Sequence, residues 1–429
     1  MPKESMHDII IIGAGIAGLY SAYNIKKMSP KTSFLILEQN KKQWLGGRMG
    51  NENFYGTSVV TGAGIGRKDK DDLIQKLLKE LHIKTTEFTV DPAYAPTIKN
   101  PVDVMSVIKY LRKQYKEEKT LSGKNDLKKQ TFKQFAMKHL GKKMYDDFTV
   151  SASYTDYENE DVEETLYHYG MEDNACCWTG INIPWHALVY KLVDEVGEEN
   201  IRASTKVVSL EKFVVNGGCG YKIVSSKGRS FYCKKVIIAT TIYSARLLIP
   251  GASLKDSLYQ NIHGQPFLRV YGKFGKTGSA TMNKHIGSSG YLIVPGPLHS
   301  IITIDVKKGV YMIAYTDNEA AKMLSSHLEN NEKNREFFVK LLRDSIGIGM
   351  NEPMDLIAIK DYYWNIGTHY YGPLPDEFKT RSAFIKKAQH PEPNMLVVGE
   401  MISRDQGWSK GALESVHVAL TKKWIDAPC

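Results

Sequence analysis

The sequence predicts an α/β protein organised around a Rossmann-like, doubly wound domain, and three observations carry that expectation. Asp8 leads into Ile9 to Ile12, an unbroken run of four isoleucines with no alternation, the pattern of a parallel strand buried on both faces. Gly13, Gly15 and Gly18 follow in G-x-G-x-x-G spacing, and Ala17 to Ile25 continue in helix-compatible residues with Leu19, Ala22 and Tyr23 on one side. Ser33 to Leu37 is a second apolar run that ends in Glu38, about 20 residues after the last glycine.

Each element has a physical task. The first glycine permits a tight turn, the second lets a pyrophosphate approach the backbone, and the third lets helix pack on strand. Gly13, Gly15, Ile16, Ala17 and Gly18 are therefore candidate cofactor-binding residues. Glu38 stands where an acid hydrogen-bonds the ribose hydroxyls, and its charge would repel the extra phosphate of NADP.

A length of 429 residues suits two connected domains. No segment approaches the run of roughly 20 apolar residues needed to span a bilayer, and the polar Met1 to His7 leads into Ile9 to Ile12 without a secretory leader's apolar region. The expectation is a soluble, cytoplasmic protein. Cys176, Cys177, Cys219, Cys233 and Cys429 lack metal-type spacing, so reduced thiols and no metal site are expected, with Cys176 and Cys177 as small packing residues. The net charge of +10 comes from lysines interrupted by acids. Lys109 to Lys143, the densest basic stretch, contains Glu117, Glu118 and Asp126 and reads as exposed helices, with no nucleic-acid or membrane partner indicated. Neither a His-Glu-x-x-His nor a Gly-x-Ser-x-Gly element occurs, and His82, His168 and His186 read as surface or satisfied interior residues.

Further elements point to one family. Leu45-Gly46-Gly47-Arg48-Met49 brings backbone amides and a planar fork of donors shortly after Glu38. Thr61-Gly62-Ala63-Gly64-Ile65 supplies small residues that let backbone lie against a flat ring. Near the other end, Asn394 to Val398 forms a buried run entering Gly399-Glu400, and Gly411-Ala412-Leu413-Glu414-Ser415 opens a helix. Ser204 to Leu210, with Val207, and Lys235 to Thr240, ending in Ala239-Thr240, are further strands between them. In these motifs the chain resembles the flavin-containing amine oxidase superfamily, of the monoamine oxidase, polyamine oxidase and L-amino-acid oxidase kind. The resemblance implies FAD held by Gly46, Gly47, Arg48, Met49, Gly62, Ala63, Gly64, Ile65, Val207, Ala239, Thr240, Gly399, Glu400, Gly411, Ala412 and Leu413 besides the N-terminal set. It places Glu400 at the ribityl chain and the helix at the pyrimidine end, where a helix N-terminus favours charge on reduced flavin. It also implies an FAD domain of 1–95, 196–262 and 388–429 interleaved with a mixed α+β substrate domain of 96–195 and 263–387.

Amine oxidation needs a C–H bond aimed at flavin N5, an uncharged amine and walls that exclude water. By resemblance Trp408 is one aromatic wall of the reacting face. The second lies within Tyr362 to Tyr371, where Thr368, His369 and Tyr370 are alternatives of register. That stretch has no cysteine, so non-covalent FAD is expected. Pro266 to Phe274 resembles the strand that carries a lysine near N5 in many relatives, and the best register puts Arg269 there, with Lys273 four residues on. Arginine stays charged, so it orients water or substrate but is no base. The catalytic candidates are thus Arg269, Trp408, His369 and Tyr370. The leading expectation is oxidation of an amine or amino acid with oxygen as acceptor, the position of Arg269 leaving open both oxygen's part and a substrate carboxylate. The alternatives are dehydrogenation, desaturation or isomerisation of an apolar substrate, and a non-catalytic flavoprotein with a basic binding surface. Oligomeric state is not indicated.

Overall fold

The computed structural model describes residues 6–121, 127–175, 177–215 and 218–428. The expectations for Met1 to Ser5, Asp126, Cys176 and Cys429 lie outside these residues. Strands His7–Ile12, Phe34–Leu37, Ser230–Ile238 and Met395–Val397 form the parallel centre of one sheet, with Ile12 level with both Leu37 and Ile238, and Ile238 level with Val397. Ile201–Arg202 adds a parallel edge, and the hairpin Val207–Val215 and Gly218–Ser225 extends the other side antiparallel.

Period-two geometry explains why these runs are continuously apolar. Ile9, Ile11, Ile36, Ile237 and Leu396 face one core, which helices Ile16–Met28, Trp185–Val196 and Ser409–Ala419 complete with Leu19, Ala22, Leu188, Leu192, Leu413 and Val416. Ile10, Ile12, Leu35, Val236, Ile238 and Val397 face the other, closed by Ile242, Ala245, Phe384 and Ala388. Trp185–Val196 and Arg381–Gln389 therefore pack with the nucleotide-binding half, although the sequence reading put them in the substrate domain. We propose moving both helices across those boundaries.

The second sheet runs Leu356–Tyr371, Ile262–Phe274, Val310–Asp317, Ser300–Asp305, Tyr291–Ile293 and Ala93–Tyr94. Its two longest strands pair antiparallel, with Arg269 between Tyr315 and Tyr362. Leu268 and Val270 point into a core with Phe338 and Leu342, so the alternate residues Phe267, Arg269 and Tyr271 point the other way, into a cavity. Helices Val104–Leu121 and Phe132–Ala152 form a separate cluster around Phe132, Phe135, Phe148 and Tyr157, and their basic residues lie outward as expected. Among the described residues no helix is long and apolar enough to cross a membrane.

The histidines His82, His168 and His186 are exposed. The expectation of reduced thiols is corrected at two positions: Cys177 and Cys219 each take part in a disulfide, whereas Cys233 is a free buried thiol. Proximity in space decides such pairing, and sequence spacing does not display it.

Gly18 is the tightest packing point of helix on strand. A Cβ there would lie 1.9 Å from the Gly13 carbonyl oxygen, a backbone atom that cannot rotate away. Gly18→Ala should cost roughly 3 kcal/mol or more, read as a large fall in thermal midpoint or loss of folded protein. A midpoint matching the parent would refute this packing.

Candidate active site

A cavity of about 1140 Å³ is lined by residues of both sheets, above the roughly 300–1,000 Å³ of an ordinary small-molecule pocket. Its nucleotide end is built from the N-terminal turn. Gly13 has φ +106°, and a Cβ there would meet the Ala239 carbonyl oxygen at 2.4 Å, so only glycine makes this turn. Gly15, at the start of helix Ile16–Met28, has nothing within 4 Å of its Cβ direction. Glu38 is 6% exposed, and its two oxygens accept from the Ala14 and Asn40 amides, both at 2.8 Å. Gly46 N–H donates to the Ala14 carbonyl at 2.9 Å, which brings the Gly46-Gly47 segment against the turn.

Ala63 N–H donates to the Arg48 carbonyl at 2.8 Å. A Cβ on Gly62 would approach that same oxygen to 2.1 Å, so the segments 46–49 and 62–65 lie too close for a larger residue. The Arg48 Nη1 donates to Glu400 Oε1 and to the Gly367 carbonyl, each at 2.7 Å. Ile16, Ala17, Gly47, Met49, Gly64, Ile65, Val207, Ala239, Thr240, Gly399 and Ala412 line the same cavity.

Five of the sequence candidates stand elsewhere. Gly18 is used for packing, and Leu413 faces the core. Gly411 sits where a Cβ would come within 2.0 Å of the Asp405 carbonyl oxygen. His369 is not among the residues that line the cavity, and both its nitrogens are engaged: Nδ1 with Glu400 Oε1 at 2.5 Å, and Nε2 accepting from the Ile242 amide at 3.2 Å. Tyr370 stacks on His263, with centroids 5.0 Å apart, away from the cavity lining. The side chain of Glu400 is likewise committed, its second oxygen accepting from Gly407 N–H at 3.0 Å, although its backbone borders the cavity. Burial alone would raise the Glu400 carboxyl, but His369 and Arg48 outweigh it and hold it well below the usual range.

The other end of the cavity is aromatic. Tyr362, Trp364, Ile366 and Thr368 line it at period two, so of the named alternatives Thr368 faces inward and Trp364 supplies the aromatic side chain. Trp364 is held by its Nε1–H, which donates to the Thr61 carbonyl at 2.7 Å. Trp408 precedes helix Ser409–Ala419, and the Arg67 guanidinium lies 3.9 Å from its ring centroid. Asp71 and Asp173 bind Arg67, each at 2.8 Å, so a buried ion-pair group fixes this tryptophan. Arg269 lines the cavity beside Gly62, to whose carbonyl its Nε donates at 3.0 Å. Lys273 instead donates to the Phe274 and Lys308 carbonyls, outside the lining.

Tyr154, Asp156, Phe267 and Tyr315 also face the cavity; Phe267 lies in the strand segment that carries Arg269, whereas Tyr154, Asp156 and Tyr315 belong to no motif and nothing local in the sequence marks them. Asp156 Oδ1 accepts from the Tyr169 hydroxyl at 2.6 Å. Burial, and then the neighbouring Asp317, push its carboxyl up to about 7. Among the described residues no group of three or more His, Cys, Asp or Glu could hold a metal ion.

The glycine turn, the fixed Glu38 carboxylate and the close-packed small residues fit a dinucleotide, with room beyond it for a second molecule. Residues 16–415 match the family model of flavin-containing amine oxidoreductases. Among solved structures, a double mutant of putrescine oxidase, redesigned in cofactor binding, superposes with a TM-score of 0.72 at 14% identity, covering 96% of this chain and 98% of that one. Cyclohexylamine oxidase from Brevibacterium oxydans superposes with a TM-score of 0.74 at 15% identity, covering 98% and 99%. No curated protein matches the sequence at a significant level.

The open space at Gly15 predicts a separation of folding from binding. Gly15→Ala should keep a folding stability within about 0.5 kcal/mol of the parent while cofactor content after purification falls at least tenfold; full retention would show that the space is not used. A second expectation concerns Asp156, whose carboxyl is raised from 3.8 to about 7. A raised carboxyl contributes stability below its unfolded value and loses it as pH rises through the folded one. Asp156→Asn should therefore gain stability over the parent as pH goes from 4 to 7, by on the order of 1–3 kcal/mol, and parallel midpoint curves would contradict this.

Proposed function

The chain belongs to the flavin-containing amine oxidoreductase family, and from that membership and the site geometry we propose a non-covalent FAD enzyme that oxidises the C–N bond of an amine or amino acid. The observation that carries the proposal is the single lining shared by the Gly13–Ala17 turn, the Gly62–Ile65 segment, Gly399 and the aromatic pair Trp364 and Trp408. FAD rather than FMN is supported by the glycine turn and Glu38, which would serve a second phosphate and a second ribose that FMN lacks. Non-covalent binding is supported by the absence of cysteine from 362–371.

Bound flavin supplies the oxidant: the substrate C–H leaves with its electron pair, a proton leaves nitrogen, and the resulting imine is hydrolysed by water to a carbonyl compound and ammonia or a smaller amine. This chain's residues position and shield. Arg48 ties the Gly-Gly-Arg element to Glu400, so that both ends of the cofactor site move as one body. Trp364 and Trp408, each fixed at its polar edge or face, exclude water from the reacting region. Asp156 borders the substrate region and, with its carboxyl raised to about 7, is suited to receive the ammonium proton of an arriving substrate near neutral pH. Oxygen is the proposed acceptor, taking two electrons and two protons to give peroxide.

Purified protein should be yellow and release FAD on denaturation, identified by chromatography against FMN. Anaerobic addition of a substrate amine or amino acid should bleach the visible band, and admitting oxygen should restore it with one peroxide per turnover. A colourless protein that takes up neither flavin, or one that amines and amino acids alike fail to bleach, would overturn the proposal.

A further inference from the structure

Buried arginines in this fold are paired with carboxylates. Arg67 meets Asp71 and Asp173, and Arg381 lies 3.5 Å from Asp161 and 3.6 Å from Glu164. Arg269, only 5% exposed, breaks the pattern: among the described residues no carboxylate lies within ion-pair distance of it. Its contacts are the Gly62 carbonyl through Nε, the Met312 sulfur 3.6 Å from Nη1, the neutral Tyr271 hydroxyl, and the Tyr315 ring 3.9 Å from its central carbon. None of these is an anion. A cation withdrawn from water without a counter-charge costs several kcal/mol, and the guanidinium keeps its charge at any relevant pH. The compensating charge must come from a molecule that enters the cavity Arg269 lines.

The position narrows what that molecule is. Arg269 lies against the 62–64 backbone, with Nη2 3.0 Å from where a Gly64 Cβ would be, and Trp364, whose indole is anchored on Thr61, lines the same cavity. This is the end of the cavity assigned above to the reacting carbon. With the phosphates of the nucleotide assigned to the other end, an anionic group that meets the guanidinium here belongs to the substrate, close to its reacting carbon. Tyr154, Phe267 and Tyr315 pack together beside it, their ring centroids 5.3 to 6.3 Å apart, and offer apolar surface to the remainder of the substrate.

We propose that Arg269 binds the α-carboxylate of the substrate, so that the enzyme takes α-amino acids and releases 2-oxo acids, in contrast to the plain amines named for its structural neighbours. The inference rests on the flavin oxidase reading above and selects among the substrates that reading allows. The planar fork suits a carboxylate in bidentate fashion, which an ammonium at the same point would not reproduce.

The test uses the flavin-loaded protein. Anaerobic bleaching is compared between a panel of L- and D-amino acids and the amines that each would give on decarboxylation. Independently, benzoate and 4-methyl-2-oxopentanoate, which cannot donate hydride, are titrated by calorimetry into the parent, Arg269→Lys and Arg269→Met. At least one amino acid should bleach the flavin 100-fold faster than its decarboxylated partner. At least one of the two carboxylates should bind the parent, at least 30-fold more weakly to Arg269→Met, with an intermediate loss for Arg269→Lys. The Met variant should keep its flavin and a thermal midpoint at or above the parent's, since it removes an uncompensated charge. Bleaching by plain amines with every amino acid inert, or carboxylate binding that is absent from the parent or indifferent to both substitutions, overturns the inference while leaving the oxidase reading intact. A colourless protein, or a yellow one that neither class bleaches, sinks the oxidase reading and this inference with it.

Discussion

The buried carboxylate of Glu400 is the joint on which the architecture depends. It binds Arg48 from the N-terminal third, His369 from the second sheet and the Gly407 amide of its own loop. Two distant stretches of chain and the carboxylate's own loop thus converge on two oxygens. A carboxylate so deeply withdrawn from water is tolerable only with such a set of donors, and removing any one leaves the others facing an unsatisfied charge. The cavity follows from this joint, since its walls are the backbones that the joint draws together.

The two ends of the cavity are built by different means. At the nucleotide end, backbone does the work: glycines remove side chains and leave amide groups and space, while Glu38 is pinned by the Ala14 amide of the glycine turn and the Asn40 amide of its own loop. At the reacting end, side chains do it. Period-two alternation in the long paired strands sends Arg269 and Trp364 inward, while Leu268 and Val270 go to the core behind. The aromatic surfaces there are anchored rather than merely packed, Trp364 through a carbonyl and Trp408 through Arg67 and its acids. Anchored walls keep their positions whether or not a substrate is present, which is what positioning a C–H bond demands.

Identities of 14% and 15% with structural neighbours show a shared fold. What they leave to this chain is the lining of the reacting end, where Arg269 lacks a carboxylate partner among the described residues and Asp156 carries a raised carboxyl. Both are properties of these side chains in this setting, and a conserved scaffold does not dictate them.

From the sequence alone, the nucleotide half was determined nearly completely. Its signals are contiguous: an isoleucine run, glycines at fixed spacing and an acid at the end of the next strand each act on their immediate neighbours, so local order suffices. Arg269 and Trp408 were also legible as residues that line the cavity, Trp408 because it stands just before a motif and Arg269 because it lies in a strand that resembles the family's. Tertiary structure decided the rest. His369 and Tyr370 lie in the right strand, but hydrogen bonding to Glu400 and stacking on His263 take them out of the cavity lining, and Trp364 lines it instead. That helices Trp185–Val196 and Arg381–Gln389 pack against the first sheet was not legible, because an apolar stripe does not say which sheet it will cover. Tyr154, Asp156 and Tyr315 come from separate loops and strands, and the ionisation of Asp156 depends on burial and on Asp317. Such properties belong to assembled neighbourhoods, which no local stretch of sequence contains.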